Sequence, residues 1–209
     1  MTVIDDYASI EENKDFITQF EKLYNENFPI EEERELFQDI MSRIANRTPP
    51  ITIMVFENDG KKLMGACITD YYDEEKIVMP VYMVVRPEYR RMGLGKQLFE
   101  GSVSYFDHQH VFIEIDDPEK VTDSVIDPII RLSMYSGMGF EVVPIAYRQP
   151  PLKRDGEWCD SLILMHRGEK LTKNVLCRFL KVFYQELGAG ETDEFRKIME
   201  EVKKSAVPE

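Results

Sequence analysis

Apolar residues recur along the chain in two rhythms, and each rhythm marks a kind of element. Phe16, Phe20, Leu23 and Tyr24 fall at helical spacing. Before them, Ser9-Ile10-Glu11-Glu12 reads as a capping box, with Ser9 as N-cap and Glu12 reaching back. Phe28-Pro29 ends this helix. A second is predicted from about Glu31 to Ile44, with Leu36, Phe37, Ile40, Met41 and Ile44 on one face, and Pro49-Pro50 stops it. Strands are predicted over Ile51–Phe56, Leu63–Tyr72 and Lys76–Val85, with a turn at Asn58-Asp59-Gly60. The run Val81-Tyr82-Met83-Val84-Val85 does not alternate, as expected of a strand covered on both faces. A helix should begin near Gly93 and carry Leu94, Leu98, Val103 and Phe106. Then follow a strand over Val111–Ile115, a helix from Asp123 to Ser136, and strands over Phe140–Tyr147 and Ser161–Met165. Two amphipathic helices close the chain. One carries Leu171, Val175, Phe179, Leu180 and Phe183, and the other Phe195, Ile198, Met199 and Val202. The order predicts a mixed α/β class with one sheet and a helical tail.

Composition narrows the setting. Of 209 residues, 43% are hydrophobic and 31% charged, as in a soluble globular protein. Residues 1–15 lack the basic and apolar regions of a signal peptide, and no apolar run approaches the roughly 18 residues that span a bilayer. Cys67, Cys159 and Cys177 are odd in number and widely spaced. They suggest neither a zinc site nor a disulfide framework, and no metal is expected. A cytoplasmic location, with no membrane partner, is the expectation. The net charge of −13 argues against nucleic acid as a partner and would steer cationic substrates inward, or serve solubility alone.

That charge reverses at one place. The eleven residues from Arg86 to Lys96 hold four cations, Arg86, Arg90, Arg91 and Lys96, against one acid, Glu88. Gly93 and Gly95 sit at the mouth of a predicted helix. There the backbone can approach a ligand, and the free N–H groups favour an anion such as a pyrophosphate. The segment is no P-loop, because one residue rather than four separates the glycines and Gln97 follows Lys96. It fits a dinucleotide fingerprint poorly, since Leu98 stands where a third Gly or Ala belongs.

Arg90-x-x-Gly93-x-Gly95 after a strand and before a helix resembles the acetyl-CoA-binding motif of the GNAT superfamily, Gln/Arg-x-x-Gly-x-Gly/Ala. Its preface Val85-Arg86-Pro87-Glu88-Tyr89 resembles that family's strand exit. Tyr135-Ser136-Gly137-Met138-Gly139-Phe140 resembles the later family motif Tyr-x-x-x-Gly-Phe, where a helix gives way to a strand. The family often has Asn and Ala seven and four residues before that Tyr; here Pro128 and Arg131 stand there. The resemblance covers roughly residues 10 to 166. It implies a GNAT-like fold over 1–168 with a C-terminal helical extension over 169–209.

The resemblance also implies an N-acetyltransferase that uses acetyl-CoA as cosubstrate and an amine as acceptor. Pantetheine would pair with the backbone of Met83, Val84 and Val85 as an added strand does. The N–H groups of Arg91, Met92, Gly93, Leu94, Gly95 and Lys96, with Arg90, would hold the pyrophosphate. Tyr135 would be the general acid for the leaving thiolate, because a tyrosine hydroxyl with a pKa of about 10 stays protonated at pH 7. Period-two geometry puts Phe112 and Glu114 on one face of their strand, so Glu114 is the candidate base, with Asp116 and Asp117 just beyond. Each acid could instead be solvated or cap the next segment. His108 and His110 read as surface residues. The acceptor pocket would involve Phe28–Arg34 and the Tyr147–Pro151 connection, although Glu31, Glu32 and Glu33 read more simply as favourable charges in the first turn of a helix. Open alternatives are a non-catalytic acyl-CoA sensor or structural module, a nucleotide-binding domain, and a tail that packs on the core or forms a homodimer.

Overall fold

The computed structural model describes residues 1–28, 34–121, 127–153 and 156–209. The chain divides into two compact units, Met1–His108 and Gln109–Glu209.

The first unit carries β1 (Thr2–Ile4), α1 (Tyr7–Glu12), α2 (Lys14–Asn27), α3 (Phe37–Asn46), β2 (Ile51–Asp59), β3 (Lys62–Tyr72), β4 (Ile77–Val85) and α4 (Leu94–Val103). Its strands run β1-β2-β3-β4, each antiparallel to the next. Alternation along β2 explains the layering. Met54 and Phe56 face α2 and α3, and pack with Phe20, Tyr24, Phe37, Ile40 and Ile44. Ile53 and Val55 face the other way, and pack with Cys67, Leu94 and Leu98 of β3 and α4. A strand covered on both sides has no reason to alternate apolar with polar residues, which is why these strands read as continuous apolar runs. Close approach of α4 to β3 requires Gly65, where a Cβ would lie 2.8 Å from the Val84 carbonyl and 3.0 Å from Leu98.

In the β3–β4 ladder Ile68 faces Tyr82 but Thr69 faces Pro80, so Val81 is an extra residue. Pro80 has no N–H to offer the ladder, and a bulge absorbs that loss.

The second unit carries β5 (His110–Asp116), α5 (Pro128–Gly137), β6 (Glu141–Val142), β7 (Leu162–Gly168), α6 (Lys173–Glu186) and α7 (Asp193–Lys204). Its strand order is β5-β7-β6, antiparallel throughout. Phe112 of β5 stacks face to face on Phe179 of α6, with ring centres 4.1 Å apart. Leu176, Phe179, Leu180, Tyr184 and Val202 are fully buried. Thr172 caps α6 and Thr192 caps α7, whose ends carry Asp193 and Glu194 first and Lys203 and Lys204 last, in accord with the helix dipole.

Several elements differ from the pattern-based expectation. The first helix is capped by Asp6. Its carboxylate accepts from the Ser9 N–H at 2.8 Å, while the Ser9 hydroxyl accepts from the Asp6 N–H at 3.0 Å. Ser9 is therefore the reciprocating residue and not the cap. Asn13 separates α1 from α2. Phe106 lies beyond α4. The strand expected over Phe140–Tyr147 shrinks to two residues because Pro144 interrupts it. Beyond Val143, the N–H groups of Ile145 and Tyr147 turn back to the carbonyls two residues before them. The expected helix starts at Glu31 and Asp123 lie outside the described residues, as do Glu31–Glu33 of the expected acceptor pocket.

Candidate active site

The cationic loop is built from its backbone. After β4 a short 3-10 turn, Pro87–Tyr89, closes with Tyr89 N–H donating to the Arg86 carbonyl at 2.9 Å. Two of the four cations brace the loop. Arg86 Nε donates to the Leu63 carbonyl at 2.6 Å. Arg90 Nε donates to the Val85 carbonyl at 2.9 Å, and its Nη2 to Asn27 Oδ1 at 3.2 Å. Arg91 and Lys96 stand exposed. Lys62 pairs with Glu88 at 2.7 Å, which leaves the acid of this stretch neutralised from outside it.

Arg91 and Gly93 both adopt left-handed backbone, at φ 63° and 81°. That conformation turns the chain into α4 with Gly93 as N-cap and no side chain capping the helix. The first intrahelical bond is Gln97 N–H to the Gly93 carbonyl, at 3.1 Å. The N–H groups of Leu94, Gly95 and Lys96 therefore have no acceptor inside the helix. A Cβ at Gly95 would make only ordinary contacts, 3.8 Å to Val85 and 3.9 Å to Met83, so packing within the protein does not demand glycine there. A cationic, uncapped helix start with an open glycine fits an anionic ligand against the backbone. One edge of Met83–Val85 is taken by β3, through the pairs Cys67–Met83, Ala66–Val84 and Gly65–Val85.

In the second unit Glu114 is partly buried on β5 and paired in register with Leu164. The Tyr147 hydroxyl donates to Glu114 Oε1, and Gln149 Nε2 donates to Oε2 at 2.8 Å. Burial pushes the Glu114 carboxyl up to about 7, and the two donors hold it lower than burial alone would. Both donors are neutral, so the carboxylate keeps the capacity to take a proton. Its neighbours are otherwise engaged. Asp116 pairs with Arg131 at 3.0 Å, Asp117 Oδ1 accepts from the Glu119 N–H at 3.0 Å, and Lys120 lies 3.7 Å from Asp117. Arg131, which stands where the family often has Ala, thus neutralises one of the alternative acids.

Tyr135 lies near the C-terminal end of α5 with its ring edge-on to Phe140, centres 5.7 Å apart. Its carbonyl accepts from the Met138 and Phe140 N–H groups at 2.9 and 3.1 Å, and Gly139 supplies the positive φ of 87° that this turn needs. The second unit brings Tyr147 and Gln149 onto Glu114. No local motif marks these two as carboxylate donors. Their spacing of two in an extended segment was the available signal. His110 is a correction: it is buried, its Nδ1 lying 3.0 Å from His166 Nε2. Burial and His110 hold His166 down at about 4.

The family to which the chain belongs is one of acyltransferases. Residues 17–121 match the family model described as Acetyltransferase (GNAT) family, and the chain belongs to that family. No curated protein matches the chain by sequence. Among solved structures, a Bacteroides thetaiotaomicron protein described as a GNAT-family acetyltransferase is 18% identical, with TM-score 0.67 over 92% of this chain and all of that one. An aminoglycoside 6'-N-acetyltransferase complexed with coenzyme A is 18% identical, with TM-score 0.53 over 80% of this chain and 97% of its own. The Enterococcus faecium aminoglycoside 6'-N-acetyltransferase is 17% identical, with TM-score 0.51 over the same shares. At these identities the likeness shows a shared fold. Among the described residues, no helix is long and apolar enough to cross a membrane.

Proposed function

We propose that the chain transfers an acetyl group from acetyl-CoA to a primary amine by direct attack within a ternary complex. Bound acetyl-CoA supplies the thioester carbonyl. Arg91 to Lys96 hold its pyrophosphate with backbone N–H groups, Arg90 shapes that loop, and Met83–Val85 offer backbone groups to the pantetheine. Glu114 takes one proton from the acceptor ammonium, and the freed amine attacks the thioester carbonyl; as the C–N bond forms and the C–S bond breaks, Tyr135 gives its hydroxyl proton to the departing thiolate and is reprotonated by the proton that the new amide nitrogen sheds. Residues 1–168 form the catalytic domain, and 169–209 are a helical extension serving it. The three cysteines are unpaired, as suits the cytosol. The net charge of −13 suits a cationic acceptor and disfavours nucleic acid.

The observation that carries this reading is Glu114: a partly buried carboxylate held by two neutral donors, poised near neutrality while Asp116 and Asp117 are engaged. A base works best when its pKa lies close to the working pH. The test is calorimetric titration with acetyl-CoA, with ATP and NAD as controls, followed by an amine screen that reads free thiol. Micromolar binding of acetyl-CoA alone and thiol release that rises through about pH 7 are expected. Binding of ATP or NAD in place of acetyl-CoA, or a turnover unaltered in Glu114→Gln, would overturn it.

A further inference from the structure

Glu114 depends on a segment that has little ladder of its own. Among the described residues, the stretch between Pro144 and Pro150 makes one bridge, in which Gln149 N–H donates to the Cys159 carbonyl at 2.8 Å and Cys159 N–H returns to the Gln149 carbonyl at 3.1 Å. Tyr147 and Gln149 nevertheless both aim donors at one carboxylate, which requires the backbone between them to be fixed. The residue between them is Arg148, and it is held at both ends. The Tyr184 hydroxyl of α6 donates to its carbonyl. Its guanidinium Nη1 donates to Glu194 Oε2 of α7 at 2.8 Å. Tyr184 is fully buried, with its ring locked between Trp158 at 5.9 Å and Phe195 at 5.3 Å. A phenol at that depth keeps its hydroxyl only where it has a partner, since a phenylalanine would fill the same space more cheaply. Here the partner is the backbone of the donor segment.

We propose that Tyr184 and Glu194 are positioning residues for Glu114: the C-terminal helices clamp Arg148 and thereby aim the Tyr147 and Gln149 donors at the carboxylate. This rests on the reading of Glu114 as the base. The α6–α7 pair lies outside the 17–121 stretch matched by the family model. The other groups around Glu114 are consistent with such a role. Leu164 of β7 beside it is apolar, Arg131 of α5 is spent on Asp116, and Tyr184 itself feels the Glu114 charge, which adds to the upward push of burial on its hydroxyl.

The experiment is a 13C NMR titration of the glutamate carboxyl carbons in the full chain, with the Glu114 signal assigned by its loss in Glu114→Gln. Gln149→Leu removes one donor directly and should raise the Glu114 midpoint by about one pH unit, the scale of a hydrogen bond to a charged group. Tyr184→Phe keeps the ring contacts and loses only the hydroxyl. Glu194→Ala frees the guanidinium from the surface side, so it carries the test if the buried substitution fails to fold. Each should raise the midpoint by about half a unit, because loosened donors no longer favour the ionised form. A Glu114 midpoint unmoved in both, while Gln149→Leu shifts it, overturns the clamp. A midpoint unmoved in Gln149→Leu overturns it too, since the donors would then not be what holds the carboxylate. The base reading is judged separately: if Glu114→Gln acetylates at the parental rate, Glu114 is not the base, whatever the NMR midpoints show.

Discussion

Replacing Glu114 by glutamine should stabilise the protein while stopping its chemistry. The wild-type carboxyl rises from an ordinary 4.5 to about 7 on folding. The folded state therefore binds this proton more tightly than the unfolded chain does. Its contribution is fully present below about pH 4.5 and is lost as pH rises through about 7. At roughly 1.4 kcal/mol per pH unit, burying the ionised group costs ~3 kcal/mol at pH 8 and under ~1 kcal/mol at pH 5. Glutamine has nearly the same shape, carries no charge, and can accept from Tyr147 through its carbonyl oxygen. Its second contact needs one amide to turn, so the gain at pH 8 will fall below that bound, at about 1–3 kcal/mol. Urea denaturation of both proteins at pH 8 and pH 5 checks this. The difference in midpoint should be wide at pH 8 and narrow at pH 5. Equal differences at both values would refute the argument, because a charge-burial cost must vary with pH.

Gly95→Glu should abolish acetyl-CoA binding by calorimetry with thermal stability within a few degrees of the parent, because the site tolerates a Cβ but an anion there repels phosphate. Tyr135→Phe should lower turnover at least tenfold and leave acetyl-CoA affinity nearly unchanged, as expected of a general acid; equal effects on both would assign the ring to packing. Arg43→Met should cost about 3–5 kcal/mol in urea melts at pH 8, since it strands two carboxylates. Glu35 lies 2.9 Å and Asp70 3.3 Å from that guanidinium, and burial pushes both acids upward. Its cost should shrink toward pH 4, where both acids can protonate.

The shape of the candidate loop is legible in the chain because it is made of backbone. A strand exit, a left-handed glycine and an uncapped helix start are local features, so the motif from Arg90 to Gly95 announces them directly. The helix stop at Tyr135–Phe140 is local in the same way. Less local features were read wrongly or not at all. Asp6 and Ser9 cap reciprocally, and a three-residue offset makes either look like the cap. Pro144 ended a strand whose apolar content suggested more of it. His110 stands at a helix–strand junction where a surface residue is expected, and the partner that accompanies its burial, His166, lies 56 positions away.

The sequence by itself determined most of the elements, the apolar runs of the covered strands and the glycine turn into α4, since each depends on residues within a few positions of one another. Only the tertiary structure decided which acid is poised. Glu114, Asp116 and Asp117 are near neighbours in sequence, yet Arg131 comes 15 positions after Asp116, Tyr147 and Gln149 come 33 and 35 after Glu114, and Tyr184 reaches Arg148 across 36 more. A carboxylate's affinity for its proton is set by burial and by such partners, and neither is written in its own stretch of chain.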